Sequence, residues 1–198
     1  MATGLAQNWE IGGGVGEGVY KNATITGAAG TADAGIRNRY VATAVVNEDL
    51  WEHFSGEFRY IYHGGDTFLQ SGSTQGSIVA LSHTFTYDAL LHIKDRGSRF
   101  RPYVAFGAGA KYYGTSGSTP KPQPLPAIAG LTTQSQWEPV LDFGGGVKVR
   151  VTEHVVVSGD VRDYITRFPN HLFPAASGAR ASGVLQQVTP MVGIGYRF

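Results

Sequence analysis

The last nine residues of the chain, PMVGIGYRF, alternate between apolar and small or polar side chains. Counted back from the terminus, one face carries an apolar residue at every second position: Phe198, Tyr196, Ile194, Val192, Pro190 and Val188. Such a period of two is the pattern of a β-strand with two unlike faces. The chain therefore ends in a predicted strand whose apolar face must be covered by a core or by lipid.

Seven further segments alternate in the same way, and each has ten residues or more. They are 8–20, 35–46, 54–63, 77–93, 101–113, 136–151 and 155–165, and the terminal strand begins at about residue 183. The facing of 35–46 stays open, because small residues occupy both of its sides. Tilted strands of about ten residues are long enough to cross the hydrocarbon of a membrane.

The connections alternate in length. Short ones are 47–53, 94–100 and 152–154, whereas long ones, rich in Gly, Ser, Thr and Pro, are 21–34, 64–76, 114–135 and 166–182. Short turns at one end and long loops at the other are typical of an up-and-down membrane barrel. We predict one all-β domain over residues 1–198, an eight-stranded antiparallel transmembrane β-barrel. Residues 1–7 are expected to be flexible, with both termini and the short turns periplasmic and the long loops extracellular.

Aromatic residues on the apolar faces favour a membrane over a soluble core. Several lie near strand ends, as in the aromatic girdles of membrane barrels: Trp9, Tyr62, Tyr112, Trp137 and Tyr196. Glycines collect on the opposite faces, where a narrow eight-stranded barrel leaves little room. A soluble lipid-binding barrel is a distant alternative to the membrane barrel.

Composition agrees with this interpretation. Charged residues make up 16% of the chain, below the roughly 25% of soluble domains, and no apolar run of 18 residues is present. A net charge of +1 gives no general attraction to nucleic acid, and the absence of cysteine excludes disulfides and thiolate metal sites. No secretory signal is visible after Met1, so we expect a mature form with an added initiator Met.

Three stretches carry a family resemblance: the terminal GIGYRF, RFRPYVAFGAGAKYY and VVVSGDVRDYI. Together they resemble the eight-stranded OmpA/OmpX-like barrels of the Gram-negative outer membrane, over nearly the whole chain. The resemblance implies an outer-membrane location, lipid as a partner, and a terminal strand, with Tyr196 and Phe198, that is read by the β-barrel assembly machinery. We expect a monomer with no cofactor.

The inward faces carry ten predicted charged residues. The acids are Glu10, Glu57, Glu138, Asp142 and Asp160, and the bases are Arg59, Lys111, Lys148, Arg150 and Arg162. Because buried charges must be paired, the balanced set favours mutual ion pairs that plug the lumen. An ion-selective pore, which would favour one sign of charge, is the alternative.

The sequence offers little for catalysis. The six histidines are scattered along the chain, so no metal site is predicted. His53 and Ser55 share one strand face, as a lipid-modifying barrel enzyme would require, but they lie beside a short turn. We therefore predict that the protein is not an enzyme.

Function is expected in the long loops, since lipid-facing and lumen positions are both constrained. Apolar, basic and imidazole side chains in these loops are the candidates for recognition of a surface ligand or protein: Phe68, Leu69, His171, Leu172, Phe173 and Arg180. Alternatively, the segment FPNHLFP packs over the barrel mouth. If the loops recognise a partner, deleting 170–179 should leave folding intact.

The prediction is thus a porin-like structural and surface-interaction protein of the outer membrane. A narrow gated channel for small solutes is the alternative, followed by a lipid-modifying enzyme.

Overall fold

A computed structural model describes residues 8–198 of the chain, so the prediction for residues 1–7 lies outside the described part. In chain order the strands are β1 (Asn8–Lys21), β2 (Ala23–Gly27), β3 (Gly30–Ile36), β4 (Arg39–Trp51), β5 (Phe54–Gly64), β6 (Thr67–Ser71), β7 (Thr74–Ile78), β8 (Ala80–His92), β9 (Phe100–Thr115), β10 (Gln136–Arg150), β11 (Val155–Arg167), β12 (Arg180–Ser182) and β13 (Val184–Arg197). Within residues 8–198, no helix has the length and apolar character that a membrane span needs.

Eight of these strands close into an antiparallel barrel, in the order β1-β13-β11-β10-β9-β8-β5-β4. The first and last barrel strands pair directly, with Glu10 opposite Arg197 and Val15 opposite Val192. The predicted eight-stranded barrel is therefore confirmed. The predicted start of the second barrel strand at residue 35 is wrong, because β3 ends at Ile36 and the barrel strand β4 begins at Arg39. Gly35 and Ile36 pair with β6 of a different sheet.

The barrel wall has the two unlike faces that the alternation predicts. Outward-pointing side chains such as Phe106, Leu141 and Val161 are 50% exposed or more, whereas inward-pointing Asp142 and Arg162 are completely buried. Exposed apolar side chains over this height are unfavourable in water and match a hydrocarbon environment. The wall is therefore built to face lipid.

The long loops are more ordered than the sequence predicted. Strands β12, β2, β3, β6 and β7 form a second sheet, in that order, which continues five neighbouring barrel strands beyond the barrel. Residues 116–135 and 168–179 cover one side of this sheet, tied together where the Thr132 N–H donates to the Leu172 carbonyl at 3.1 Å. We call the second sheet and these two segments the cap.

The cap has an apolar core. Its apolar side chains point inward, whereas those of the barrel wall point outward. Ile25, Ala34 and Leu69 of the sheet are completely buried against the covering segments, which contribute Leu131 and Phe173. Burial of this kind is the main stabilising contribution in a water-exposed unit. The cap therefore folds like a small soluble domain on top of a membrane barrel.

This core corrects the predicted loop candidates. Phe68, Leu69, Leu172 and Phe173 are at most 9% exposed. Leu69, Leu172 and Phe173 supply the core that holds the cap sheet and its covering segments together, whereas Phe68 points to the other face of the sheet, where the Arg37 guanidinium lies 5.2 Å from its ring. Of the six candidates, only His171 and Arg180 are exposed. Because deletion of 170–179 removes Leu172 and Phe173 from this core, we now expect it to disrupt the cap.

Replacing Phe173 by Ala should loosen the cap and leave the barrel closed. Phe173 is completely buried and stacks on Phe168 with ring centroids 5.2 Å apart. Truncating a buried Phe to Ala costs about 3–5 kcal/mol. We expect faster proteolysis within 116–135 in lipid vesicles, with the heat-modifiable gel mobility of the barrel retained.

The matched control is Phe106→Ala, which removes a 61% exposed side chain from the barrel wall. It should leave the rate of cap proteolysis unchanged. Equal proteolysis in the two variants would contradict the cap core.

Candidate functional site

One arginine lies at the centre of the barrel interior and contacts three carboxylates. Strand register places Glu57 opposite Asp88, and places Asp88 and Asp142 on either side of Gly107. The Arg162 guanidinium spans this row, at 2.9 Å from Asp88 Oδ2, 3.2 Å from Asp142 Oδ2 and 3.2 Å from Glu57 Oε1. Because Arg is planar with five donors, one guanidinium can satisfy several carboxylates at once.

A second arginine extends this network across the barrel. The Arg59 guanidinium lies 2.7 Å from Glu57 Oε1 and 2.8 Å from Asp160 Oδ2, and the Tyr103 hydroxyl donates to Asp160 Oδ2 at 3.0 Å. We call the two arginines and their four carboxylates the central charge cluster; its members are Glu57, Arg59, Asp88, Asp142, Asp160 and Arg162.

Further ion pairs lie nearer the short-turn end. Lys148 Nζ lies 2.8 Å from Glu10 Oε1. Asp49 receives the Ser55 hydroxyl at 2.7 Å and lies 3.1 Å from both Arg101 and Arg197. A cavity of about 20 Å³, lined in part by Glu10 and Lys148, lies between these pairs and the central charge cluster. That volume holds about one water molecule.

Buried apolar and aromatic side chains pack beside the central charge cluster, and we call them the collar: Val41, Ile61, Val140, Tyr164 and Met191. Met191 contacts the cluster directly, because its Sδ accepts from Arg59 at 3.7 Å. The interior on the cap side of the cluster also holds buried polar side chains, such as Thr84, Thr166 and Thr189. Beyond this collar, Lys111 Nζ donates to the Tyr20 hydroxyl at 2.9 Å and also to Gln187. The apolar core of the cap follows directly, since Tyr20 belongs to it.

The structure pairs seven of the ten predicted lumen charges with opposite charges: Glu10, Glu57, Arg59, Asp142, Lys148, Asp160 and Arg162. The other three have different contacts. Lys111 has the contacts described above, Glu138 accepts from Gln136, and the half-buried Arg150 donates to the Gly97 carbonyl.

Sequence reasoning missed four members of these networks: Asp49, Asp88, Arg101 and Arg197. The signal for Asp88 was present, because Tyr87 and Ala89 on either side of it belong to the apolar face. Arg101 lies two positions before the inward-facing Tyr103 on the same strand, so it points to the same side. Alternation alone could have found both.

The two residues predicted as an assembly signal lie on the outward face at the short-turn end. Tyr196 and Phe198 are 48% and 66% exposed, and their rings meet edge to face at 5.1 Å. The Phe198 N–H donates to the Trp9 carbonyl at 2.9 Å, which closes the barrel between its first and last strands. Their role in assembly stays a prediction.

Three of the five predicted girdle aromatics form a continuous arc with His83 near the long-loop end, whereas Trp9 and Tyr196 lie at the short-turn end. Tyr62, His83, Tyr112 and Trp137 are successive cross-strand neighbours on β5, β8, β9 and β10. The Tyr60 hydroxyl, adjacent on the same wall, lies 2.8 Å from His83 Nδ1. Amphipathic rings of this kind suit the boundary between hydrocarbon and water.

No catalytic arrangement emerges from residues 8–198. His53 lies 3.0 Å from Asp95 rather than beside Ser55. Ser55 instead contacts His92 Nε2 at 2.9 Å, but Ser55 is 1% exposed and donates its proton to Asp49. A nucleophile must lose that proton to a base and must reach a substrate. In the same range, no three His, Asp or Glu side chains are grouped as metal ligands.

Comparisons with known proteins show which solved structures share this fold. No protein-family model and no curated protein sequence matches the chain. Among solved structures, the outer membrane protein OprG from Pseudomonas aeruginosa matches 98% of this chain and 96% of its own, with a TM-score of 0.59 and 16% identity. Neisserial surface protein A matches 96% of this chain and 97% of its own, with a TM-score of 0.55 and 11% identity.

A third match is Ail, the attachment invasion locus protein of Yersinia pestis, solved with the heparin analogue sucrose octasulfate. It has a TM-score of 0.51 and 12% identity over 98% of this chain and all of that one. These proteins share the closed barrel found here. The chain is a closed, eight-stranded antiparallel β-barrel with a lipid-type exterior, and it has the fold of these outer-membrane proteins.

Proposed function

We propose that the protein is a closed outer-membrane anchor that presents the cap as a binding surface for anionic polymers at the cell surface. The observation that carries this proposal is the distribution of charge. The extracellular segments 21–39, 64–79, 115–135 and 167–183 contain two acids, Asp33 and Asp66. Their six bases are all exposed: Lys21, Arg37, Arg39, Lys121, Arg167 and Arg180.

The resulting charge of +4 on these segments is hidden in the whole-chain value of +1. A surface of one sign attracts polymers of the opposite sign over about 10 Å at moderate ionic strength. The sulfated ligand bound to Ail, a protein of the same fold, supports an anionic partner. Extracellular polysaccharides that carry sulfate or carboxylate groups have the required chemistry.

The test is binding of heparin to the protein in lipid nanodiscs, with neutral dextran as the reference polymer. Wild type should bind heparin, and the affinity should fall as salt is raised. Lys121→Gln with Arg180→Gln should weaken binding about two- to thirtyfold, since each exposed charge contributes roughly 0.2–1 kcal/mol.

The matched control carries the same charge change at the periplasmic end, Lys94→Gln with Arg99→Gln, where both side chains are exposed. It should bind heparin like wild type. Equal weakening by both pairs, or equal binding of dextran, would contradict a specific role for the cap.

The arrangement of the interior supports an anchor rather than a channel. Arg162 and Arg59 link carboxylates from several strands across the barrel, and the apolar core of the cap covers its long-loop end. Ions crossing such a barrel would have to break buried ion pairs, which costs several kcal/mol, and then pass the cap core. No observation in residues 8–198 favours the alternatives of a gated channel or a lipid-modifying enzyme.

We expect planar bilayers containing the protein to show no stable conductance above background. The control is Phe173→Ala, in which the cap is loosened while the central charge cluster is intact. This variant should also stay silent, because the cluster lies below the cap. Stable ohmic steps from wild type would overturn the closed anchor.

A further inference from the structure

The central charge cluster contains more acid than base. Its four carboxyl groups face two guanidinium groups, which leaves an excess of two acids, and all six side chains are at most 8% exposed. The Lys148 ammonium also acts on Glu57 and offsets part of this excess. An uncompensated charge in such a place costs several kcal/mol, so the remaining excess favours a bound cation or a proton.

Two of the carboxyl groups differ from the others in their contacts. Asp88 and Asp142 each direct Oδ2 at the same Arg162 nitrogen, at 2.9 and 3.2 Å. The Oδ1 atoms of both side chains are buried and have no hydrogen-bond partner within residues 8–198. By contrast, Glu57 accepts from Asn47 at 2.7 Å and from Arg59, and both oxygens of Asp160 face Arg59.

The two unpartnered oxygens meet over a glycine. Asp88 and Asp142 flank Gly107 on the neighbouring strands, and a Cβ atom on Gly107 would contact Oδ1 of both. The absence of a side chain at this position therefore lets two acceptors face each other in a dry interior. Two such oxygens repel each other unless a donor lies between them.

We propose that Asp88 and Asp142 hold one proton between their Oδ1 atoms at neutral pH. Arg162 orients the pair from the opposite side through both Oδ2 atoms. The other charged or titratable groups around the pair are Glu57, Arg59, Tyr103, Asp160 and Tyr164. Two like carboxyl groups that share a site bind one proton much more tightly than either would alone. The barrel interior is thus a protonation site, independent of the proposed role of the cap.

Infrared spectroscopy of wild type in lipid tests the proton directly. At neutral pH we expect the C=O stretch of a protonated carboxyl group, with a shift to lower frequency in heavy water. Asp88→Asn and Asp142→Asn should each abolish it, because the remaining carboxylate then has no second carboxylate opposite its Oδ1 and stays ionised beside Arg162. Absence of the band in wild type would overturn the proposal, as would a stability that requires Na⁺ or K⁺ in place of the proton.

Unfolding in urea supplies a second, independent readout. Asn resembles a protonated Asp, so Asp142→Asn should keep the urea midpoint of wild type or raise it. Asp160→Asn is the matched control and should lower the midpoint, because Asp160 is ion-paired with Arg59 at 2.8 Å. Equal losses in the two variants would contradict a shared proton.

Discussion

Arg162→Met is expected to cause one of the largest losses of stability of any single substitution, about 3–5 kcal/mol. The substitution leaves Asp88, Asp142 and Glu57 without the guanidinium that contacts all three, in a place where Arg162 is completely buried. Removing one partner of a buried ion pair is costly because the remaining charge stays desolvated. The urea midpoint of the folded band on gels, measured in lipid vesicles, should fall accordingly.

The pH dependence of this loss has a defined sign. Acid protonates the carboxylates that Arg162 no longer neutralises, so the difference between wild type and variant should shrink as the pH falls. Arg180→Met is the matched control, because Arg180 is exposed on the cap; its effect should stay within about 0.5 kcal/mol. A variant at position 162 as stable as the control would show that the cluster does not hold the barrel together.

Gly144→Ala should be the second large effect, with a loss of about 3 kcal/mol or failure to fold. Gly144 faces the lumen, and a Cβ there would overlap the Val161 carbonyl oxygen and the Arg162 backbone. A clash with a side chain can be relieved when that side chain rotates. At Gly144 the clash is with the backbone of the neighbouring strand, which cannot rotate away. The fraction that refolds to the heat-modifiable form, and its urea midpoint, measure the effect.

Gly159→Ala makes the same chemical change on the neighbouring strand. The nearest atom to its added Cβ is the Met191 carbonyl oxygen at 3.9 Å, an ordinary contact. This variant should refold as well as wild type, within about 0.5 kcal/mol. Should the two alanine variants behave alike, close strand approach at Gly144 would not be what limits side-chain size inside the barrel.

The barrel could be predicted from the sequence because its strands are long and each has one apolar and one polar face. The cap could not, because its strands span only three to seven residues. Its polarity is also inverted, with Ile25 and Ala34 pointing inward where the barrel has polar side chains. In addition, Asn22 shifts the parity between the inward-facing Tyr20 and Ala23, so alternation counted along β1 fails beyond it.

The charge network could be predicted only in part. Alternation assigns Arg59 and Asp160 to the inner face, but they lie 101 positions apart in the chain and meet across the barrel. Which charges meet depends on the stagger of the strands, and alternation carries no information on stagger. The apolar loop residues were misassigned for a related reason: Leu172 and Phe173 look exposed in a loop until the sheet that covers them is known.

The barrel wall touches lipid outside and encloses an interior that, apart from one small cavity, excludes water. Methyl NMR of Val- and Leu-labelled protein in nanodiscs measures both properties without substitution. The outward methyl groups of Leu141, Val157 and Val161 should show contacts to lipid acyl chains, whereas those of the inward Val41 and Val140 should show contacts to neither lipid nor bulk water. Strong water contacts at Val41 and Val140 would contradict the account by revealing an open aqueous lumen, and missing lipid contacts at the outward positions would contradict the membrane-facing wall.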